Sequence, residues 1–235
     1  MLEADTVRLS KADFVYNRLR ASIINGDRRP GDFLDKTELG REFGSSRQPL
    51  ASALDRLAGD GLVKVIPQHG SFVSKLDAAQ IRGRFFVRRA IEVEYVLELS
   101  GKVTDALIER LDLNLRYQRV ALDAGDYDGM YDLDQRFHEI MHAEVAIDEA
   151  RRVLERAKAY LSRVRRMMLP EEHRANHTYN EHVTIRDALE RRDVPTAAAA
   201  MRAHMDAVEC HFSKFVVKRP ELFENDDLEP ATGRK

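Results

Sequence analysis

Residues 37–74 read TELGREFGSSRQPLASALDRLAGDGLVKVIPQHGSFVS, and their punctuation decides the fold of the N-terminal part. Thr37 is placed to cap a short helix carrying Leu39 and Phe43, which Gly44 ends. Ser45 and Ser46 then open a second helix through Leu50, Leu54 and Leu57 as far as Gly59 and Gly61. Two short helices joined by about three residues that include a glycine have helix-turn-helix spacing. Beyond them, Leu62–Ile66 and Ser71–Ser74 are β-branched and aromatic runs on either side of Pro67-Gln68-His69-Gly70, the pattern of a hairpin, or wing. Upstream, Phe14, Val15, Leu19, Ile23 and Ile24 recur at helical spacing, so a further helix runs over about 10–25 before Asn25-Gly26 and the Arg29-Pro30-Gly31 turn. A winged helix-turn-helix satisfies this order; on pattern alone, another small α+β unit remains open.

Outward from this stretch the punctuation thins. Seven of the 12 glycines fall in the first 70 residues, no proline occurs between Pro67 and Pro170, and no glycine between Gly129 and Gly233. The chain therefore divides into a turn-rich module, 1–75, a helical region, 76–219, and a tail, 220–235, whose acid clusters and prolines are expected to fray. Stop signals divide the middle region into about six helices, near 78–100, 104–124, 127–145, 148–169, 176–192 and 194–217. Val87, Ile91, Val93, Val96 and Leu97, then Leu107, Leu111 and Leu115, fall on helical faces, so an all-α antiparallel bundle is the economical architecture. The fold class is mainly α, with one small α+β module in front.

The 235 residues carry 38 Lys+Arg against 40 Asp+Glu, a balance that gives no large field of one sign to mark a nucleic-acid or membrane binder. Divided by module, residues 1–75 hold 12 basic and 10 acidic side chains and the remainder 26 and 30. Specific binding to DNA would then depend on where a few arginines sit, with weak non-specific affinity. One cysteine, Cys210, excludes an internal disulfide and a Cys-rich zinc module, fits a reducing, cytoplasmic setting, and reads as a small packing group. The N-terminus lacks the apolar core of a signal peptide, and no run of about 18 uncharged apolar residues occurs, so neither secretion nor membrane spanning is expected.

The run from Tyr16 to Asp77 resembles the DNA-binding domain of GntR-family bacterial transcription regulators. The resemblance rests on Ile24-x-Gly26, Pro30-Gly31, Leu34, Leu39, Ser46-Arg47-x-Pro49, Ala53-Leu54, Leu57, Gly61-Leu62 and the wing Gly70-x-Phe72-Val73. It implies that Ser46, Arg47 and Gln48, at the start of a recognition helix, meet base edges in the major groove. Arg47 has the fork to pair with guanine O6 and N7, while Gln48 can reach a base edge or a phosphate. Arg41, His69 and Gly70 are placed for backbone or minor-groove contact. One departure stands out: where the family usually has a second arginine and then a glutamate, this chain has Ala51 and Ser52, so its preferred operator is expected to differ.

In the helical region, Asp134 and His138 lie at i, i+4, two potential metal ligands on one face. His142 continues that face, so a titratable surface stripe explains the spacing equally well. Taken in order, however, Arg88-x-x-x-Glu92, Asp134-x-x-Phe137-His138, Glu181-His182-x-x-Ile185 and Ala200-Met201-x-x-His204 resemble the FadR-like branch of the same family, with its all-helical FCD ligand-binding domain, over about residues 80–217. That resemblance implies a divalent metal held by Asp134, His138, His182 and His204; three imidazoles and a carboxylate suit zinc, nickel or another transition ion. It also implies an organic-acid effector at Arg88 and Glu92, although Glu92 could instead pair with Arg88 across one helical turn. Arg165 and Tyr160 lie on a helix that could line the same cavity, but no motif assigns them.

The function expected is a metabolite-responsive repressor, dimeric on double-stranded operator DNA, with no catalytic residues. Two other classes stay in view. A metal-dependent hydrolase would need a general base such as Glu181, and a bundle used only for dimerisation would leave DNA affinity indifferent to metal and ligand.

Overall fold

The structure, a computed structural model, describes residues 10–170 and 174–224. The described chain folds as two compact units, one of residues 10–76 with 221–224 and one of residues 77–220.

The first unit contains α1 (Lys11–Asn25), α2 (Lys36–Glu42), α3 (Arg47–Gly59), β1 (Val63–Ile66) and β2 (Gly70–Val73). Its core holds most of the apolar set read from the sequence: Val15, Leu19 and Ile23 of α1 pack with Leu39, Leu50, Leu54 and Leu57 of the helix-turn-helix and with Leu62, Val63 and Val73 of the wing, while Phe14 is exposed and Ile24 half-buried. α1 ends at Gly26, whose φ of 87° is left-handed. The cap of α2 is not Thr37 but Asp35, whose carboxylate accepts from the N–H groups of Thr37 and Glu38. Asp35 sits two residues further upstream, where its side chain reaches the free amides of the first turn.

β1 and β2 pair antiparallel with Val63 opposite Val73 and Ile66 opposite Gly70. The wing also has an edge that the sequence did not signal. Gly31 and Leu34 donate backbone bonds to Val73 and Ser71, Val73 donates to Asp32, and the rings of Phe33 and Phe72 lie 5.3 Å apart. Gly70 is favoured first by its backbone, whose φ of 113° strains any L side chain; a Cβ there would also lie 2.5 Å from the edge of the exposed Phe33 ring, which would have to turn away.

The expected fraying of 220–235 is corrected for its first residues. Pro220–Leu222 form a 3-10 turn, Leu222 and Phe223 are buried, and residues 222–224 exchange backbone bonds with Leu76. Two large apolar side chains that can be buried against Leu76 outweigh the acid-rich composition. Residues 225–235 lie outside the described residues.

Among the described residues the second unit is a bundle of six helices: α4 (Ala78–Leu97), α5 (Asp105–Asp123), α6 (Tyr127–Val145), α7 (Asp148–Met168), α8 (Arg174–Glu190) and α9 (Val194–Lys218). Side chains of Asp77, Thr104, Asp126 and Asp193 cap α4, α5, α6 and α9. α4 packs on α9 and α7, α5 on α6 and α8, and α8 on α9, around Val93, Val96, Leu107, Leu111, Phe137, Met141, Ile185, Leu189, Met201 and Met205. Three apolar residues depart from expectation: Val87 and Leu97 are on the exposed side of α4, and Cys210 is exposed rather than packed. Among the described residues no helix is long and apolar enough to cross a membrane.

Candidate functional site

The bundle gathers four residues from three helices at one point in its interior. Asp134 and His138 project from α6 one turn apart, His182 from α8 and His204 from α9, all of them buried. One potential ligand atom from each lies within 4.8 Å of all the others. A ring of second contacts fixes which atom each residue offers.

Because a carboxylate accepts and cannot donate, His138 must carry its proton on Nδ1, which lies 2.9 Å from Oε2 of Glu92. His204 Nδ1 likewise donates to Oε2 of Glu181 at 2.6 Å, and Glu181 is held in turn by both terminal nitrogens of Arg174 at 3.1 Å. His182 Nδ1 meets Oε1 of Gln118 at 3.1 Å, while the Gln118 amide donates to Asn114 and Asn114 to the Leu133 carbonyl. Phe137 stacks on the His182 ring at 4.2 Å. Oδ2 of Asp134 accepts from Arg165 Nη2 at 2.5 Å and from Gln135 Nε2 at 2.8 Å.

What remains is three Nε2 lone pairs and the Oδ1 of Asp134, buried and without hydrogen-bond partners. Four orphaned polar atoms so close together are costly unless something binds them. The set fits a divalent transition ion, and its backing of each imidazole by an oriented acceptor is the arrangement that raises ligand basicity. The protonation states agree with such a set. Burial lowers His138 to about 4 against the pull of Glu92, holds His182 well below its ordinary range with His204 adding to the effect, and lowers His204 against Glu181. Burial would raise Asp134, but Arg165 first, then His138, His182 and Arg88, keep it well below the usual aspartate range.

Arg88 lies beside this cluster with 2% exposure, and its Nη1 and Nη2 have no hydrogen-bond partner. Its Nε donates to Oε1 of Glu92 at 3.3 Å, the one-turn pairing that spacing allowed. Glu92 is not left open toward an effector: its second oxygen also takes His142 Nε2 at 2.8 Å, so three protein donors occupy it. Burial would raise Glu92, yet these histidine contacts hold it well below its ordinary range. His142 is therefore buried between Glu92 and the Tyr95 ring, 4.2 Å away, rather than part of a surface stripe. Arg165, Gln118 and Arg174 are the residues that sequence reasoning left without a role. Arg165 and Gln118 lie on helices other than those of the residues they fix, 31 and 64 positions away in sequence, so no local spacing announces them, whereas Arg174 stands on α8 itself, seven positions before Glu181. Glu181, the base a hydrolase would need, is committed to His204 and Arg174.

In the first unit, Arg41 lies in the last turn of α2, and Ser46, Arg47 and Gln48 begin α3, all four exposed. The Ser46 hydroxyl makes no capping bond and is open to a partner. His69 is exposed at the hairpin turn next to Gly70, its Nδ1 3.1 Å from the Pro67 carbonyl, and Gln68 there has a φ of 63°. Ala51 and Ser52, one turn into α3, are exposed on the same helix.

Comparison with known proteins adds two family matches: residues 11–73 match the bacterial regulatory proteins of the gntR family, and residues 84–207 match the FCD domain. The chain is 31% identical over 194 residues to the HTH-type transcriptional repressor RspR of Escherichia coli (strain K12), covering 83% of this chain and 85% of that protein. It is 34% identical over 213 residues to an HTH-type transcriptional regulator in an unstable DNA locus of Streptomyces ambofaciens, covering 90% and 89%. Among solved structures, a GntR transcriptional regulator from Rhodococcus sp. RHA1 superposes with a TM-score of 0.72 at 21% identity, over 88% of this chain and 99% of that one, a likeness of fold.

Proposed function

Because the chain belongs to the GntR family of bacterial regulatory proteins and carries an FCD domain, and is thus a DNA-binding transcription regulator rather than an enzyme, we propose that it is a metal-dependent, metabolite-responsive repressor. The hydrolase alternative fails with that membership. The observation that carries the metal is the quartet of unpartnered, buried atoms on Asp134, His138, His182 and His204. A divalent transition ion, zinc or nickel, would supply a Lewis-acidic point for a carboxylate. Glu92, Gln118, Glu181 and Arg165 orient the ligands, and Arg88 offers its free guanidinium edge to an organic-acid effector.

On DNA, Arg47 and Gln48 with Ser46 read bases, and Arg41, His69 and Gly70 hold the backbone or minor groove. A single winged helix makes a small interface, so the chain binds a two-fold operator as a homodimer. The name of RspR as a repressor supports the sign of regulation. Effector and operator then act on one another's affinity by the same factor.

The test replaces His182 and His204 together by alanine. Loss of metal by elemental analysis, with loss of the effector's influence on operator retardation, is expected. Metal retained in this protein rejects the ligand set, and a full effector response without metal removes the centre from the mechanism. If instead the bundle serves dimerisation alone, wild-type operator affinity is the same with and without metal.

A further inference from the structure

Among the described residues, one face of α5 is left uncovered. Leu113, Tyr117 and Val120 stand at i, i+4 and i+7 and are 47%, 56% and 64% exposed, so three large apolar side chains make one stripe along the helix. The opposite side of the same helix already supplies its contact with the bundle through Leu107, Leu111 and Leu115. The stripe is therefore surplus to the core.

The charges beside it single out an occupant. α5 carries seven charged side chains, and five of them pair within the chain: Asp105 with Arg192, Arg110 with Glu144, Asp112 with Arg186, and Arg119 with Asp123. The two that are left, Glu109 and Arg116, are exposed and have no ion pair among the described residues. They are opposite in sign and stand two turns apart, about 10 Å along the axis, with Leu113 between them.

A second α5 laid antiparallel across this face, with a two-fold axis beside Leu113, puts Glu109 of each protomer opposite Arg116 of its partner, twice by symmetry. The same register sets Tyr117 and Val120 of one protomer toward the small, exposed Ala106 of its partner, so that large meets small at both ends. A parallel arrangement would instead oppose Glu109 to Glu109 and Arg116 to Arg116, which repel. A face that complements itself under a two-fold rotation is what an isologous contact requires.

Resting on the homodimer reading above, we propose that a second copy of the chain docks on this face of α5, antiparallel, with Leu113 at the centre and a Glu109–Arg116 pair on either flank.

The test measures the dimer dissociation constant of the full-length chain by sedimentation equilibrium, with circular dichroism to show that each variant is folded. The wild type is expected to be dimeric. Glu109→Arg and Arg116→Glu, each alone, set like charges against one another twice and are expected to weaken the dimer by at least about tenfold. An equimolar mixture of these two variants restores it to within about threefold of wild type, because one chain then offers two arginines at these positions and the other two glutamates. Mixing would repair neither a folding defect nor a general effect of net charge. Leu113→Asp gives a monomer, since it brings two carboxylates together at the apolar centre. A wild type that stays monomeric overturns the homodimer reading and this face with it. A dimeric wild type with undiminished affinity in the three variants, or with a weakening that mixing does not relieve, overturns the α5 face and leaves the homodimer standing.

Discussion

Arg165 on α7 donates through Nη2 to Oδ2 of Asp134 on α6 at 2.5 Å, and Oδ1 of the same carboxylate has no hydrogen-bond partner. The guanidinium thereby decides which oxygen of Asp134 is available to a ligand. Arg165→Met keeps most of the volume and removes the clamp. Breaking a buried pair from one side leaves a carboxylate uncompensated, so metal-free stability should fall by about 3–5 kcal/mol. Zinc affinity should fall by about 10–100-fold, as for other changes behind a metal ligand. Denaturant titration and competition with a chelating dye measure the two; unchanged zinc affinity would take Arg165 out of the centre.

Of the four ligand residues, helical spacing makes only the pair on α6 legible, and His182 and His204, on two other helices, enter through the family resemblance. Asp134 and His138 are one turn apart, and the apolar residues around them carry the period that places them inward. The helix ends were legible for the same local reason, since caps and glycines act within a few residues. What escaped is contact between helices. Arg165 acts on Asp134 from another helix, and Glu92 pairs with His138 and His142 across 46 and 50 positions. Spacing does not encode such pairs. His142 shows the consequence: on its own helix it continues a stripe, and only the position of α4 turns that stripe inward. The third edge of the wing was hidden likewise, because residues 31–34 have turn composition and gain their backbone partners only from β2.

Phe137 lies between the two ligands of α6 in sequence and stacks on the third, His182, at 4.2 Å with the rings 10° from parallel. It is fully buried. Phe137→Ala should cost about 3–5 kcal/mol as a cavity opens, and it should free the His182 ring as well. Phe137→Leu keeps the apolar volume and loses only the stacked face. The pair separates packing from ligand positioning: the leucine protein is expected to keep most of its stability yet bind zinc more weakly than wild type, by equilibrium dialysis. Full zinc affinity in both would show that the stack does not position His182.

Asp35 caps the first helix of the helix-turn-helix through the amides of Thr37 and Glu38. Its backbone bond with Glu38 first, and then that with Thr37, lower its pKa below the usual aspartate value of 3.8. A carboxyl depressed in the folded state contributes stability that is present above its unfolded pKa and disappears as pH falls through the folded one. The first unit should therefore lose stability below about pH 4. Asn caps comparably without titrating, so Asp35→Asn should match wild type at pH 7 and show a shallower decline in melting temperature between pH 5 and 3. Identical acid profiles would locate the loss at other carboxylates.

Arg47 opens α3, and Ala51 stands exposed one turn on, at the position where the resemblance to the GntR DNA-binding domain predicts an arginine. A single bidentate arginine supplies about 1–3 kcal/mol of base discrimination. Losing it from both half-sites of a dimer should abolish specific retardation of the operator, while the non-specific background, which follows phosphate contacts and salt, falls only slightly. Ala51→Arg adds a donor fork on the exposed side of the same helix and removes a methyl suited to thymine. It should shift the preferred base at one position per half-site and raise affinity for the altered site. Selection of binding sequences from a randomised pool, carried out with wild type, Arg47→Ala and Ala51→Arg at one fixed salt concentration, reads both effects at once. Three indistinguishable base profiles would move sequence recognition away from the start of α3.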